Sequence, residues 1–137
     1  MIDVFLDSVE ESNHPFLSTD LLPETDCDRR RVADDWNDRS SAFGLFYGCL
    51  AAIDGWLCTI EQPSDVHNPG DFFSGHYQKF GLNVQAMCDA NLRITYVSVA
   101  GNGGTNDARA FKRLHKLRDW LLRLPDGFLC LVIMHTD

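Results

Sequence analysis

The sequence of 137 residues predicts one α/β domain built on a mixed β-sheet. Three patterns predict this fold: two stretches that alternate apolar and polar residues, one amphipathic stretch with leucines three or four residues apart, and a continuous apolar run after it. Their order implies an antiparallel three-stranded meander, a crossover helix and a buried fourth strand. The composition, 45% hydrophobic, excludes a wholly disordered chain.

The first predicted strand covers residues 48–60, an apolar stretch that contains Asp54 and Gly55. Glycine inside a strand favours an irregularity, so we expect a bend or bulge at Gly55. Turn-forming residues predict a loop over 63–75. Period-2 alternation then predicts a hairpin. Its two strands are placed at residues 82–88 and 92–99.

The crossover helix is predicted over residues 106–124. Its apolar face consists of Phe111, Leu114, Leu117, Leu121 and Leu124. Its other face carries the basic residues Arg109, Lys112, Arg113, Lys116 and Arg123. The glycine-rich segment 100–106 before the helix is predicted to be a flexible connector, because Asn106 replaces the third glycine of a dinucleotide-binding fingerprint. The apolar run 128–134 predicts a strand buried on both faces.

Charge is distributed unevenly along the chain, whose formal net charge is −8. Residues 1–40 hold eleven acidic and four basic side chains, whereas residues 41–137 hold nine acidic and eight basic ones. We therefore divide the chain into an acidic, loosely structured lead-in (1–35) and a folded domain (36–137). The near-neutral balance of the second part leaves a nucleic-acid partner open, since its basic groups are clustered.

Five cysteines form no CxxC pair, and five histidines are scattered without metal-ligand spacing. The pattern favours buried free thiols over a disulfide framework or a zinc site. The first residues show neither a basic n-region nor a long apolar core, and no apolar run approaches the roughly 20 residues that cross a bilayer. We therefore expect an intracellular chain.

Two aspartates are candidates for chemistry. Asp54 lies inside an apolar strand, where an ionised carboxylate is costly to desolvate unless it is paired or binds a metal. A strand-end aspartate that accepts backbone hydrogen bonds is the alternative. Asp107 lies at the predicted helix start, where a capping role is the alternative. A shared function requires that the sheet bring Asp107 next to the strand of Asp54.

Four blocks of sequence resemble the DDE superfamily endonucleases, and more narrowly the Harbinger-type transposases and the nucleases derived from them. The blocks include Ala-Ile-Asp-Gly and Asn-Asp-Ala-Arg-Ala-Phe, and they lie at residues 52–55, 73–86, 88–93 and 106–111. The resemblance extends over about residues 36–131. It implies a ribonuclease H-like fold and a carboxylate cluster that holds Mg²⁺ or Mn²⁺ for the cleavage of DNA phosphodiesters.

The resemblance also implies roles for single residues. Asp54 matches the first metal-binding aspartate of the family, and Asp107 matches the aspartate of its H/N-D-x-R-x-F element. Arg109, Lys112 and Arg113 would then contact DNA phosphates, with a solvated helix face as the alternative. A nuclear location is expected from the resemblance alone.

The sequence departs from the family pattern after the helix. The family has Gly-Asp-x-x-Tyr where this chain has Val-Ile-Met-His-Thr at residues 132–136. A coding string for Gly-Asp-Asn-Ala-Tyr, read one nucleotide later, encodes Val-Ile-Met-His-Thr. We therefore expect a truncated or frameshifted copy whose sheet is incomplete at the C-terminus. Two functions follow: a fragment of a metal-dependent DNA endonuclease with impaired or no activity, or a noncatalytic transposon-derived remnant that binds protein or DNA.

Overall fold

The computed structural model describes residues 21–40 and 44–133, so the first part of the predicted lead-in lies outside the described residues. The described chain forms a mixed sheet of five strands with three α-helices and one short 3-10 helix. The helices are α1 (Asp26–Arg39), α2 (Asp107–Arg113) and α3 (His115–Leu122), with the 3-10 helix at Pro69–Phe72. The strands are β1 (Cys49–Thr59), β2 (Phe73–Ser74), β3 (Lys79–Cys88), β4 (Ile94–Asn102) and β5 (Leu129–Val132). No helix in this described part is long and apolar enough to cross a membrane.

Strand β3 lies at the centre of the sheet. It pairs antiparallel with β1 and with β4, and β2 pairs with its first two residues. Strand β5 pairs parallel with β1, after the crossover through α2 and α3. The predicted mixed sheet, with its antiparallel meander and a further strand after the crossover, is therefore confirmed, but β2 adds a fifth strand at the end of the predicted loop 63–75.

The core lies between the sheet and the helices. Ile53 of β1 and Leu117 of α3 are completely buried, and Met87 of β3 is 1% exposed. The buried helix positions recur at three- or four-residue spacing, as in an amphipathic helix. They are Ala110, Leu114, Leu117 and Trp120.

The single crossover helix predicted over 106–124 is wrong, because two helices meet at Leu114. This residue leaves helical geometry, with φ −80° and ψ 70°, while its side chain is only 4% exposed. Its carbonyl still accepts a hydrogen bond from Arg118, so α3 begins at once. No proline or glycine lies between residues 107 and 122. The break therefore follows from tertiary packing, which local propensity does not encode.

The glycine-rich segment is packed, which corrects the prediction of a flexible connector. Strand β4 continues to Asn102, and the N–H of Gly103 donates to the carbonyl of Gly81 at 2.8 Å. A Cβ on Gly103 would lie 2.5 Å from the carbonyl oxygen of Phe72. Close backbone approach therefore explains this glycine.

Strand β5 is an edge strand within the described residues, not the strand buried on both faces that the sequence predicts. Leu129 and Val132 are each 40% exposed. Only β1 contacts β5 through a ladder, so its outer edge is open among the described strands. The register irregularity of β1 lies between Cys49 and Ala51, and the bulge expected at Gly55 is absent from its pairings.

Helix α1 begins after the cap residue Thr25, whose side chain accepts a hydrogen bond from the N–H of Asp28. It covers the last ten residues of the segment expected to be loosely structured and crosses the expected boundary at residues 35/36. Ala33 of α1 is 8% exposed and belongs to the core. The side chain of Asn91, in the turn between β3 and β4, bonds to Asp35 and Arg39. Helix α1 is thus tied to the end of the hairpin.

All five cysteines are free thiols, as predicted, but the predicted burial holds only for Cys49, Cys88 and Cys130, because Cys27 and Cys58 are exposed. Burial raises the pKa of Cys130 to about 12, with Cys49 nearby as a smaller cause. Burial also raises the pKa of Cys49. Both thiols are therefore protonated at neutral pH, and they are poor nucleophiles and metal ligands.

The carboxylate of Asp89 holds the β3–β4 turn. Burial by itself would raise the pKa of Asp89, but this effect is outweighed by the hydrogen bonds from the N–H and guanidinium of Arg93 and from the N–H of Asn91. The nearby positive charge of Arg93 acts in the same direction, with its Nη2 2.7 Å from Asp89 Oδ2. The pKa of Asp89 therefore lies below its ordinary value of 3.8.

We expect the substitution Asp89→Asn to destabilise the fold at neutral pH. Because the folded state lowers the pKa of Asp89, its ionised form stabilises the fold above the unfolded pKa, and this contribution is lost as pH falls through the lower folded value. The difference in unfolding free energy between wild type and variant should therefore narrow below pH 3.8. Urea unfolding across this pH range measures it, and a constant difference would contradict the assignment.

Candidate functional site

Asp54 lies where the pairing of β1 with β5 ends. The carbonyl of Ile53 accepts a 2.8 Å hydrogen bond from Ile133, the last described residue. Alternate backbone groups of a strand face the same edge, so the N–H of Gly55 is the next group toward β5. Asp54 Oδ1 accepts this N–H at 2.8 Å. The carboxylate of Asp54 is thus located near the end of β5 but in the middle of β1. It is exposed and accepts a backbone hydrogen bond, which fits the alternative expected from the sequence rather than a desolvated carboxylate inside an apolar strand.

Asp107 is the first residue of α2, but the helix is capped by its neighbour. The side chain of Asn106 accepts a 2.9 Å hydrogen bond from the N–H of Arg109. The carboxylate of Asp107 turns instead to the sheet, where Oδ1 accepts from Asn83 Nδ2 at 3.0 Å and from Gln85 Nε2 at 3.2 Å. The capping alternative for Asp107 is therefore taken by Asn106.

The two carboxylates approach the same residue, Gly55. A Cβ on Gly55 would lie 2.6 Å from Asp107 Oδ1, and the N–H of Gly55 is bonded to Asp54 Oδ1. Because N and Cβ of one residue are about 2.5 Å apart, these contacts set an upper limit of about 8 Å on the separation of the two Oδ1 atoms. Two oxygens bound to the same Mg²⁺ lie within about 4 Å of each other, so this limit places the carboxylates near one residue without bringing them to one cation. Successive side chains of a strand point to opposite faces, so Asp54 and Asp107 reach Gly55 from different sides of β1.

Glycine at position 55 is required by this close approach. Its missing Cβ would lie 2.2 Å from Gln85 Nε2 in addition to the contact with Asp107. Gly55 pairs with Gln85 across the β1–β3 ladder, so both project from the same face. The lack of a side chain on β1 thus makes room for the carboxylate of Asp107 against the sheet.

A cavity of about 440 Å³ opens beside Asp107. Its walls come from β1, β2, β3, the segment after β2 and the residues at and before the start of α2, and they include Asn83, Ser74, His76 and Thr105. Asp107 is the one Asp, Glu, Lys or Arg among the described residues that line it. Asp54 is outside this lining and lies next to Gly55, which belongs to it.

Helix α2, whose first residue is Asp107, carries the three basic residues expected to contact DNA, and all three are exposed. They are Arg109, Lys112 and Arg113. The guanidinium of Arg113 turns back along β4, since Nη1 lies 2.8 Å from the position of a Cβ on Gly101. The side chains of Arg109 and Lys112 have no hydrogen bond or ion pair with another residue of the described chain. Both cationic groups are thus available to an anion near the acidic site.

Sequence reasoning missed the roles of Asn83 and Gln85. Two amide side chains at alternate positions of an apolar strand were the available signal, because such positions share one face. Across residues 21–40 and 44–133, no group of three or more His, Cys, Asp or Glu residues is arranged to hold a metal ion. In this part of the chain, neither Asp54 nor Asp107 therefore belongs to a cluster of three or more such side chains.

The fold and the side chains described define a mixed α/β domain with one aspartate on β1, a second at the start of α2 and exposed basic residues along α2. The family model described as DDE superfamily endonuclease matches residues 53–128, more than half of the chain. The chain therefore belongs to the DDE superfamily endonuclease family. The comparisons found no matching curated protein and no matching solved structure.

Proposed function

We propose that the chain is part of a DNA endonuclease domain of the transposase type, in which Asp54 and Asp107 hold Mg²⁺ or Mn²⁺. The observation that carries this proposal is the position of Asp107, whose carboxylate lies against the sheet at Gly55, the residue that follows Asp54 on β1. The match at residues 53–128 includes both aspartates, which supports a nuclease function. The order β4–β3–β1–β5, with β5 parallel to β1, supports a ribonuclease H-like fold. The four sequence blocks support the narrower Harbinger-type ancestry.

The chemistry of the two side chains fits the proposed cation. Carboxylate oxygens are hard ligands that Mg²⁺ prefers over nitrogen or sulfur. A bound divalent cation would supply Lewis acidity to activate water and to stabilise the leaving oxygen of a phosphodiester. Arg109 and Lys112 would hold the flanking DNA phosphates by charge-assisted contacts.

Two carboxylates are few ligands for a divalent cation, so we propose weak metal binding and impaired cleavage. The noncatalytic alternative, a transposon-derived remnant that binds DNA or protein, is favoured by one observation: the described residues offer no group of three metal-binding side chains. The family pattern is lost from residue 132 onward, and of that stretch the residues after Ile133 lie outside the described residues. We also propose that the chain is a frameshifted copy of a family member, that its nuclease domain begins at residue 36 and that it is located in the nucleus.

Terbium luminescence tests the metal site directly. Tb³⁺ is a hard cation, and Trp56 is a suitable sensitiser because it follows Asp54 by two residues, is 43% exposed and lines the cavity beside Asp107. We expect saturable emission from the wild type and at least about tenfold weaker binding in Asp54→Ala and in Asp107→Ala, equivalent to about 1.4 kcal/mol. Asp65→Ala is the matched control, because Asp65 is exposed in the loop before the 3-10 helix.

Plasmid nicking separates the two functions. Nicking in Mg²⁺ or Mn²⁺ that is lost in Asp54→Ala and Asp107→Ala, and retained in Asp65→Ala, would support the endonuclease. Tb³⁺ binding at the two aspartates without nicking by the wild type would support the noncatalytic remnant. Equal Tb³⁺ binding by the wild type and both aspartate variants would contradict the proposed metal site.

A further inference from the structure

We propose that Asn83 and Gln85 are positioning residues that fix the Asp107 carboxylate for cation binding, an inference that rests on the proposed metal site. Both are buried in β3, with exposed fractions of 7% and 2%. They project from the face that carries Gly55 and Leu57, their partners across the β1–β3 ladder. Two buried amides are thus located under one carboxylate.

Every amide hydrogen of the pair has an acceptor. Asn83 Nδ2 donates to Asp107 Oδ1 and to the carbonyl of Thr105, each at 3.0 Å. Gln85 Nε2 donates to Asp107 Oδ1 at 3.2 Å and to Asn83 Oδ1 at 2.9 Å. An ionised carboxylate only accepts, so both amides must direct their NH₂ groups toward Asp107. The network is therefore satisfied in one arrangement, which specifies the orientation of all three side chains.

This arrangement leaves one oxygen of Asp107 available. Both amides bond to Oδ1, and Oδ2 has no hydrogen bond with any described residue. An aspartate in the first turn of a helix otherwise samples several rotamers, and binding a cation would have to order it. Because Asn83 and Gln85 belong to the central strand, the sheet holds the carboxylate before a cation arrives. Hydrogen-bond partners of metal ligands commonly act in this way.

A purely structural role is the competing explanation, since the same bonds attach the start of α2 to β3. The chain offers a matched control for that role in Asn91. This amide also bonds to two side chains, Asp35 and Arg39, but it joins α1 to the turn at the far end of β3. Loss of Asn91 should lower stability without changing the orientation of Asp107.

The experiment measures Tb³⁺ binding and urea unfolding in parallel, in the full chain. We expect Asn83→Ala and Gln85→Ala to weaken Tb³⁺ binding about 10- to 100-fold, and Asn91→Ala to bind as the wild type does. Gln85→Met, which keeps the length of the side chain and removes the donor, should show the same weakening if the alanine variant fails to fold. In an Asp107→Ala background, Gln85→Met should have no further effect on binding, because it acts through Asp107.

Two results would overturn the proposal. The first is a Gln85→Met or Asn83→Ala variant that is folded and less stable than the wild type but binds Tb³⁺ with wild-type affinity. The amides would then have a structural role only. The other is an equal loss of binding with and without Asp107. Either result would leave the proposed metal site itself intact. Absence of Tb³⁺ binding at Asp54 and Asp107 in the wild type would instead overturn both the metal site and the positioning role of the amides.

Discussion

Among glycine-to-alanine substitutions in the described chain, we expect Gly55→Ala to displace the side chain of Asp107 the most. The new Cβ would lie 2.2 Å from Gln85 Nε2 and 2.6 Å from Asp107 Oδ1, distances at which atoms must move. Both contacted groups belong to one hydrogen-bond network that joins buried amides to the half-buried Asp107, so their displacement breaks hydrogen bonds to its carboxylate. We expect a loss of about 1–3 kcal/mol in unfolding free energy.

The variant should also lose Tb³⁺ binding, because the methyl group displaces the carboxylate of Asp107 from its position against β1. Gly75→Ala is the matched control, since no atom lies within 4 Å of its added Cβ. That variant should bind Tb³⁺ normally and be as stable as the wild type, or more stable by about 0.4–1 kcal/mol. Urea unfolding and Tb³⁺ titration measure both effects. Normal stability and binding in Gly55→Ala would show that Asp107 does not lie against β1.

The sheet could be predicted from the sequence because its signals are local. Alternation over 82–88 and 92–99 specifies a hairpin without knowledge of the rest of the fold, and the structure has β3 and β4 there. The break at Leu114 and the exposure of β5 could not be predicted in this way. Each depends on which other elements pack over a residue in the folded domain. An apolar run of sequence does not distinguish a central strand from an edge strand.

The candidate site, too, could be predicted from the sequence only in part. Asp54 could be selected because an acidic residue within an apolar strand needs an explanation, and Asp107 because the resemblance includes it. The sequence predicts a bend or bulge at Gly55, whereas in the structure this glycine permits the approach of Asp107, 52 positions further along the chain. Asn83 and Gln85 carry no recognisable motif of their own. Their role depends on the β1–β3 register and on the direction in which α2 begins, which are both nonlocal properties.

Leu117→Ala is expected to cause the largest loss of stability on the helical side of the domain. Leu117 is completely buried in α3 and belongs to the core cluster with Ile53 and Met87. Removing its side chain leaves a cavity that the neighbours refill only partly, which costs about 2–5 kcal/mol. Leu122→Ala provides the control, because Leu122 lies on the same helix at 78% exposure and should change stability by less than about 0.5 kcal/mol.

This substitution also separates global stability from the geometry of the acidic site. The amides that hold Asp107 belong to β3 and not to α3. At a temperature where Leu117→Ala is fully folded, we therefore expect it to bind Tb³⁺ with wild-type affinity. The carboxylate is then held by the sheet, and the packing of α3 affects only how much of the chain is folded. Weaker Tb³⁺ binding by fully folded Leu117→Ala would instead mean that α3, through its junction with α2 at Leu114, sets the position of Asp107.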